Sequence, residues 1–137
     1  MDTRTAILSA LRKLGWACKG GVAATRGSDA LVAVSFQKSQ YDSLHFVNIG
    51  IWFLALGEPG NLPKHDRCHL QFRMERLFPE LSGLLEPGGN LGLLEKKVLD
   101  EGARLKRLTE LAHLRELHAS GALAGGLITK EARALLS

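Results

Sequence analysis

The sequence predicts an α+β fold, with an N-terminal helix packed on an antiparallel sheet of four or five strands and a helical C-terminal extension. Three observations carry this. Ile7, Leu11 and Leu14 recur at helical spacing near the N-terminus. Side chains alternate with period two over 30–37 and again over 44–53. Residues 91–119 are dominated by Leu, Glu, Lys and Arg, all good helix formers. A break at Glu86-Pro87-Gly88-Gly89-Asn90 divides the chain into an α+β domain, 1–89, and a helical part, 90–137, either packed on it or mediating self-association.

In chain order, the first helix runs from Thr3 to Leu14, with Leu8 and Ala10 widening its apolar stripe and Arg4, Arg12 and Lys13 outside it. Asp2 or Thr3 can accept its first free amide hydrogens, and Gly15 suits its left-handed end. Trp16 to Lys19 and Val22 to Ala24 are short extended segments around a Gly20-Gly21 turn. Val32, Val34 and Phe36 share one side of the next strand; Val47, Ile49, Ile51 and Phe53 share one side of the following strand, against Phe46, Asn48, Gly50 and Trp52. The polar residues 38–43 between them make this pair an antiparallel hairpin. Residues 57–67, with Gly57, Pro59, Gly60 and Pro63, form a loop. A last strand over 68–74 puts Cys68, Leu70, Phe72 and Met74 on one side and His69, Gln71 and Arg73 on the other. Leu105, Leu108, Leu111, Leu114 and Leu117 recur every third residue, so on one continuous helix the row drifts by about 60° per step. Such a helix needs cover on more than one side, which points to a homodimer or larger assembly held by the C-terminal helix. Thr129 caps a short final helix, 130–136.

A chain of 137 residues can bury a full core without disulfides or a metal, and 45% hydrophobic with 23% charged residues excludes a disordered or low-complexity chain. The formal charge of +4 permits an anionic partner without requiring one. No apolar run approaches the roughly 18 residues of a membrane span, and the N-terminus lacks the apolar region of a secretory signal. The expected address is the cytoplasm, with no membrane partner, and Cys18 and Cys68 are expected as reduced thiols.

His65, Cys68 and His69, with His45 and Cys18 elsewhere, have the residue types of a metal site but not its spacing, because adjacent strand residues point to opposite faces. No metal or other cofactor is expected. Ser35, Ser39, Cys68, His45 and His69 supply nucleophiles and bases, but no G-x-S-x-G elbow frames them, so no catalytic residue is assigned. Gly88-Gly89-Asn90-Leu91-Gly92 lacks the G-K-[ST] ending of a phosphate-binding loop. Lys96, Lys97, Arg104, Lys106, Arg107 and Arg115 are interleaved with acids, as on a solvated helix face, which argues against nucleic acid as a partner. The unusual polar set is Gln37, Lys38, Ser39, Asn48, His69, Gln71 and Arg73. Polar groups within a sheet must find partners. Either they bond nearby loops, or Gln37, Lys38, Ser39, Asn48, His69 and Arg73 line a ligand-binding groove in which Gly50 leaves room.

The strings Leu14-Gly15-Trp16 with Lys19-Gly20, Val34-Ser35-Phe36-Gln37-Lys38-Ser39, Phe46-Val47-Asn48-Ile49-Gly50-Ile51, and Cys68-His69 followed by Arg73 and Leu77 resemble in order and spacing an uncharacterised bacterial family, domain of unknown function DUF4304. The resemblance covers roughly residues 5–85 and implies a compact α+β domain with a shared polar site and no assigned reaction. Residues 108–136 are similar to a short bacterial helical oligomerisation module, which implies self-association. The function expected is a non-enzymatic binding or regulatory module with a protein partner, in a setting such as bacterial defence or toxin neutralisation. The alternative is a small enzyme or anion-binding domain using Lys38, His69 and Arg73.

Overall fold

A computed structural model describes residues 2–38, 45–63 and 65–137, apart from the side chains of His45 and His65. Helix α1 (Thr3–Lys13) begins where the Asp2 side chain accepts from the Thr5 N–H at 2.8 Å and ends just before Gly15, whose φ of 88° few other residues adopt. Strands β1 (Ala17–Lys19) and β2 (Val22–Arg26) are joined by Gly20 and Gly21, both at positive φ, as a two-residue hairpin requires. Strands β3 (Ala30–Lys38) and β4 (His45–Phe53) pair antiparallel along their whole length, from Ala30 opposite Phe53 to Lys38 opposite His45. Strand β5 (Leu70–Arg73) pairs with β4, and β6 (Leu127–Ile128) pairs with β5. The sheet is therefore six-stranded, in the order β1-β2-β3-β4-β5-β6, antiparallel throughout. The sixth strand exceeds the four or five expected. With only two residues it carries no periodicity to read, and its partner lies far away in the chain.

Beyond β5 come two short helical turns, α2 (Met74–Leu77) and α3 (Ser82–Leu85), then α4 (Leu91–Asp100), α5 (Gly102–Arg107), α6 (Leu111–Ala119) and α7 (Lys130–Leu136). The continuous helix expected over 91–119 is thus three helices. At the first break a Cβ on Gly102 would come within 2.7 Å of the Leu14 side chain, so this glycine lets the junction approach the end of α1. The second is fixed by Asp29: its N–H donates to the Thr109 carbonyl at 3.3 Å, and its carboxylate accepts from the Leu111 N–H at 2.8 Å, capping α6 from 82 residues away. Gly27 in the same turn touches Thr109, where a Cβ would lie 2.1 Å from Oγ1. Breaking the helix also redirects the leucine row. Leu105, Leu108 and Leu114 are fully buried in this chain's own core, and Leu111 and Leu117 pack against it.

One apolar core joins α1, the sheet face bearing Val32, Val34, Val47, Ile49, Ile51 and Phe53, and residues of α4 to α7. Ser9 and Lys13 of α1 both bond Glu95 of α4, fixing the two helices side by side. The other sheet face carries a smaller cluster of Val22, Ala24, Leu31, Ala33 and Cys68, overlaid by Trp52 and Leu62. Cys68 therefore lies on the opposite face from Leu70, not beside it as the alternation implied. The strand begins only at Leu70, so the period-two pattern does not extend back to Cys68. A 3₁₀ turn at His65–Arg67 also adds regular backbone to a stretch read as loop.

Candidate functional site

Residues directly opposite in an antiparallel pair share a face, and Asn48 lies opposite both Ser35 on β3 and Arg73 on β5. Gln37 and Phe46 form the neighbouring pair on that face. The Arg73 Nη1 donates to Asn48 Oδ1 at 3.0 Å and touches Gln37 Oε1 at 3.5 Å, at the limit of hydrogen bonding, while the guanidinium carbon sits 4.2 Å from the centre of the Phe46 ring. The sheet thus brings Gln37, Asn48 and Arg73 together on the face away from α1.

Asn48 is only 4% exposed, and its Nδ2 has no hydrogen-bond partner among the described residues. The amide orientation follows from its neighbour: a guanidinium only donates, so the amide must turn its oxygen toward Arg73 and its NH2 group away. A buried donor left unpaired costs about 1–3 kcal/mol. The cluster therefore sets a buried amide donor with no described partner beside a positive charge, and both are groups that bond carboxylate or phosphate oxygens. Along the same face Ala33, Gly50 and Gln71 make the next row, where two small residues leave low relief beside the cluster.

The remaining candidate residues lie elsewhere. Lys38 follows Phe36 on the alternate face of β3, and Phe36 packs against the main core, so strand alternation separates Lys38 from Gln37. Ser39 lies outside the described residues. His69 stands four residues before Arg73, about 13 Å along an extended chain. Its Nδ1 accepts from the Phe53 N–H at 2.9 Å, and its ring lies 4.5 Å from Trp52 between centres. Its own N–H donates to the Ile51 carbonyl and its carbonyl accepts from the Thr129 N–H. His69 therefore ties together β4, β5 and the approach to α7. Burial lowers its pKa, with Glu131 opposing in part. Gln71 donates to the Cys68 carbonyl at 3.1 Å, bracing the turn into β5.

Cys68 is 2% exposed, and desolvation, aided by Asp66, pushes its pKa up to about 12, so no thiolate forms there near neutral pH. Among the described residues no group of three or more His, Cys, Asp or Glu could hold a metal ion. Among the described residues no helix is long and apolar enough to cross a membrane.

Two features had no sequence signal of their own. Phe46 acts as the platform for Arg73, and only its place on the polar side of the β4 alternation pointed to it. The second is a cleft of about 560 Å³ between the β1–β2 hairpin and residues 58–62, floored by Ala17, Ala24 and Leu31. It is walled by Arg26 and Glu58, which pair in two parallel bonds of 2.8 and 2.7 Å. Both partners are exposed, so the pair positions the loop more than it stabilises the fold.

A family model described as "Domain of unknown function (DUF4304)" matches residues 7–101, well over half of the chain and all of the Gln37, Asn48 and Arg73 cluster. No curated protein and no solved structure matches.

Proposed function

The chain belongs to the DUF4304 family, and on that premise we propose that it is a non-enzymatic binding module whose sheet face receives an acidic group of a protein partner. The observation that carries this reading is the buried, unpaired Asn48 Nδ2 beside the Arg73 guanidinium. Arg73 would anchor the carboxylate, Asn48 would donate the second bond, and Gln37 and Phe46 would hold Arg73 in place. The alternative, a small enzyme or anion-binding domain working through Lys38, His69 and Arg73 together, has less support. It needs three side chains that lie on two faces and at two ends of a strand.

A cytoplasmic address belongs to the same reading, supported by Cys18 and Cys68 standing as thiols rather than joined to each other, as a reducing compartment keeps them. Self-association is proposed on narrower ground than the leucine row: Leu127 of the edge strand β6 is 56% exposed and is a contact for a second copy.

The test is an amide-detected NMR titration of the full chain with the peptide Ac-Gly-Glu-Gly-amide, using Ac-Gly-Gln-Gly-amide as the uncharged control. The Asn48 side-chain NH2 pair and the Arg73 Nε–H should shift saturably with the first peptide and not with the second. Asn48 and Arg73 signals that stay fixed at tens of millimolar peptide, or move equally with both, overturn the reading.

A further inference from the structure

The helical layer contains a second unsatisfied group, far along the chain from the sheet cluster. Leu77, Phe78, Arg104, Arg107, His113 and Leu117 enclose a cavity of about 240 Å³ where the end of α2 meets α5 and α6. His113 lines this space, while its Nδ1 is closed to solvent and makes no hydrogen bond among the described residues, with Oε2 of Glu116 3.8 Å away. An imidazole nitrogen shut from water and left unpaired is costly unless something else bonds it.

The two arginines differ in how they are held. Arg104 donates to Glu80 at 2.6 Å, to Glu101 at 2.8 Å and to the Leu77 carbonyl at 3.3 Å, and its guanidinium carbon lies 4.7 Å from the centre of the Phe78 ring. Its charge is already matched and it serves as a wall. The Arg107 side chain is exposed and forms no hydrogen bond or ion pair among the described residues, so its charge at the mouth is unmatched. The remaining lining is leucine and phenylalanine.

We infer that this cavity is a binding site for a small aromatic carboxylate. On binding, the His113 ring turns so that its Nδ1–H faces the cavity and donates to one carboxylate oxygen, Arg107 holds the other from the mouth, and the ligand's ring occupies the apolar space against Leu77, Phe78 and Leu117. The size fits, since an apolar cavity of about 150 Å³ already accepts benzene. A compact space of this volume leaves room for the carboxylate and none for a long acyl chain. This inference is independent of the sheet cluster and goes beyond it.

The experiment is an NMR titration of the full chain with benzoate, with benzamide and acetate as partial mimics. Benzoate should move the His113 ring and Leu117 methyl signals saturably, and each mimic should bind at least about tenfold more weakly, because one lacks the charge and the other the ring. Arg107→Ala, at an exposed position that should not disturb folding, should weaken benzoate at least about tenfold, and His113→Phe should abolish its binding. The inference is overturned if benzoate leaves His113 and Leu117 unmoved, if benzamide binds equally well, or if Arg73→Gln rather than Arg107→Ala removes the binding. The sheet-face reading is reported by Asn48 signals and a different ligand, so the two can fail separately.

Discussion

Arg73→Ala removes the only partner that the Asn48 amide has among the described residues, and the structure sets the size of the effect. Asn48 Oδ1, in a side chain 4% exposed, joins Nδ2 as an unpaired buried group, at about 1–3 kcal/mol. Loss of the guanidinium from the Phe46 ring adds about 0.5–1 kcal/mol for a half-exposed pair. The expected destabilisation is about 2–3 kcal/mol, or a fall in Tm of roughly 8–12 °C for a domain of this size. Asn48→Ala should cost less, at most about 1 kcal/mol, although Asn48 is the more buried residue. It deletes the unpaired donor together with the bond, and Arg73 remains open to water. In the Arg73→Ala background it should cost nothing or restore stability, a coupling of at least about 1 kcal/mol in the double-mutant cycle. Urea denaturation followed by circular dichroism measures all four proteins. If Asn48→Ala proves costlier than Arg73→Ala, or the two effects add within about 0.5 kcal/mol, the amide and guanidinium do not form the buried pair described here.

Two further outcomes follow from titrating groups. Burial lowers the His69 pKa in the folded protein, so below about pH 6.5 the unfolded chain takes up the proton first, and stability should fall as pH drops from there toward the folded value. His69→Asn should flatten that part of a urea-midpoint profile, and an unchanged slope would show that His69 is not its source. Cys68, with its pKa pushed up to about 12, should resist a thiol reagent at pH 7.5 in the native protein and react after unfolding, whereas the half-exposed Cys18 reacts in both states. Two fast thiols in the native protein would contradict the buried setting of Cys68.

How far the sequence spoke for the structure depended on whether the deciding force was local. The apolar stripe and Asp2 cap of α1 and the long alternation of β3 and β4 are local signals, and they specified both elements and their pairing. The α5–α6 break is set by bonds from Asp29, a distant residue, while the broken stretch keeps high helical propensity throughout, so periodicity could only extend the helix through it. The site divided in the same way. Asn48 stood out as polar within an apolar strand, and register brought it to Arg73 and Gln37. His69 shared their alternation in the sequence, yet the structure uses its ring nitrogen to accept from the backbone of β4. The cavity at His113 depends on the angle between α5 and α6, which nothing in the spacing of residues records.

The sheet's last strand has a consequence for how the molecule comes into being. β1 to β5 follow one another along the chain, each beside its predecessor, so they can zip together as they emerge from a ribosome. β6 arrives only after α2 to α6 have been made, which at about 5–20 residues per second is a delay of several seconds. Until then Leu70 and Gln71 present an open strand border. A nascent chain would meet its neighbours on a polysome with that border bare, and any copy halted before Leu127 would keep it so. The two-residue strand adds little bonding, but it closes the one border of the β-sheet that synthesis leaves waiting.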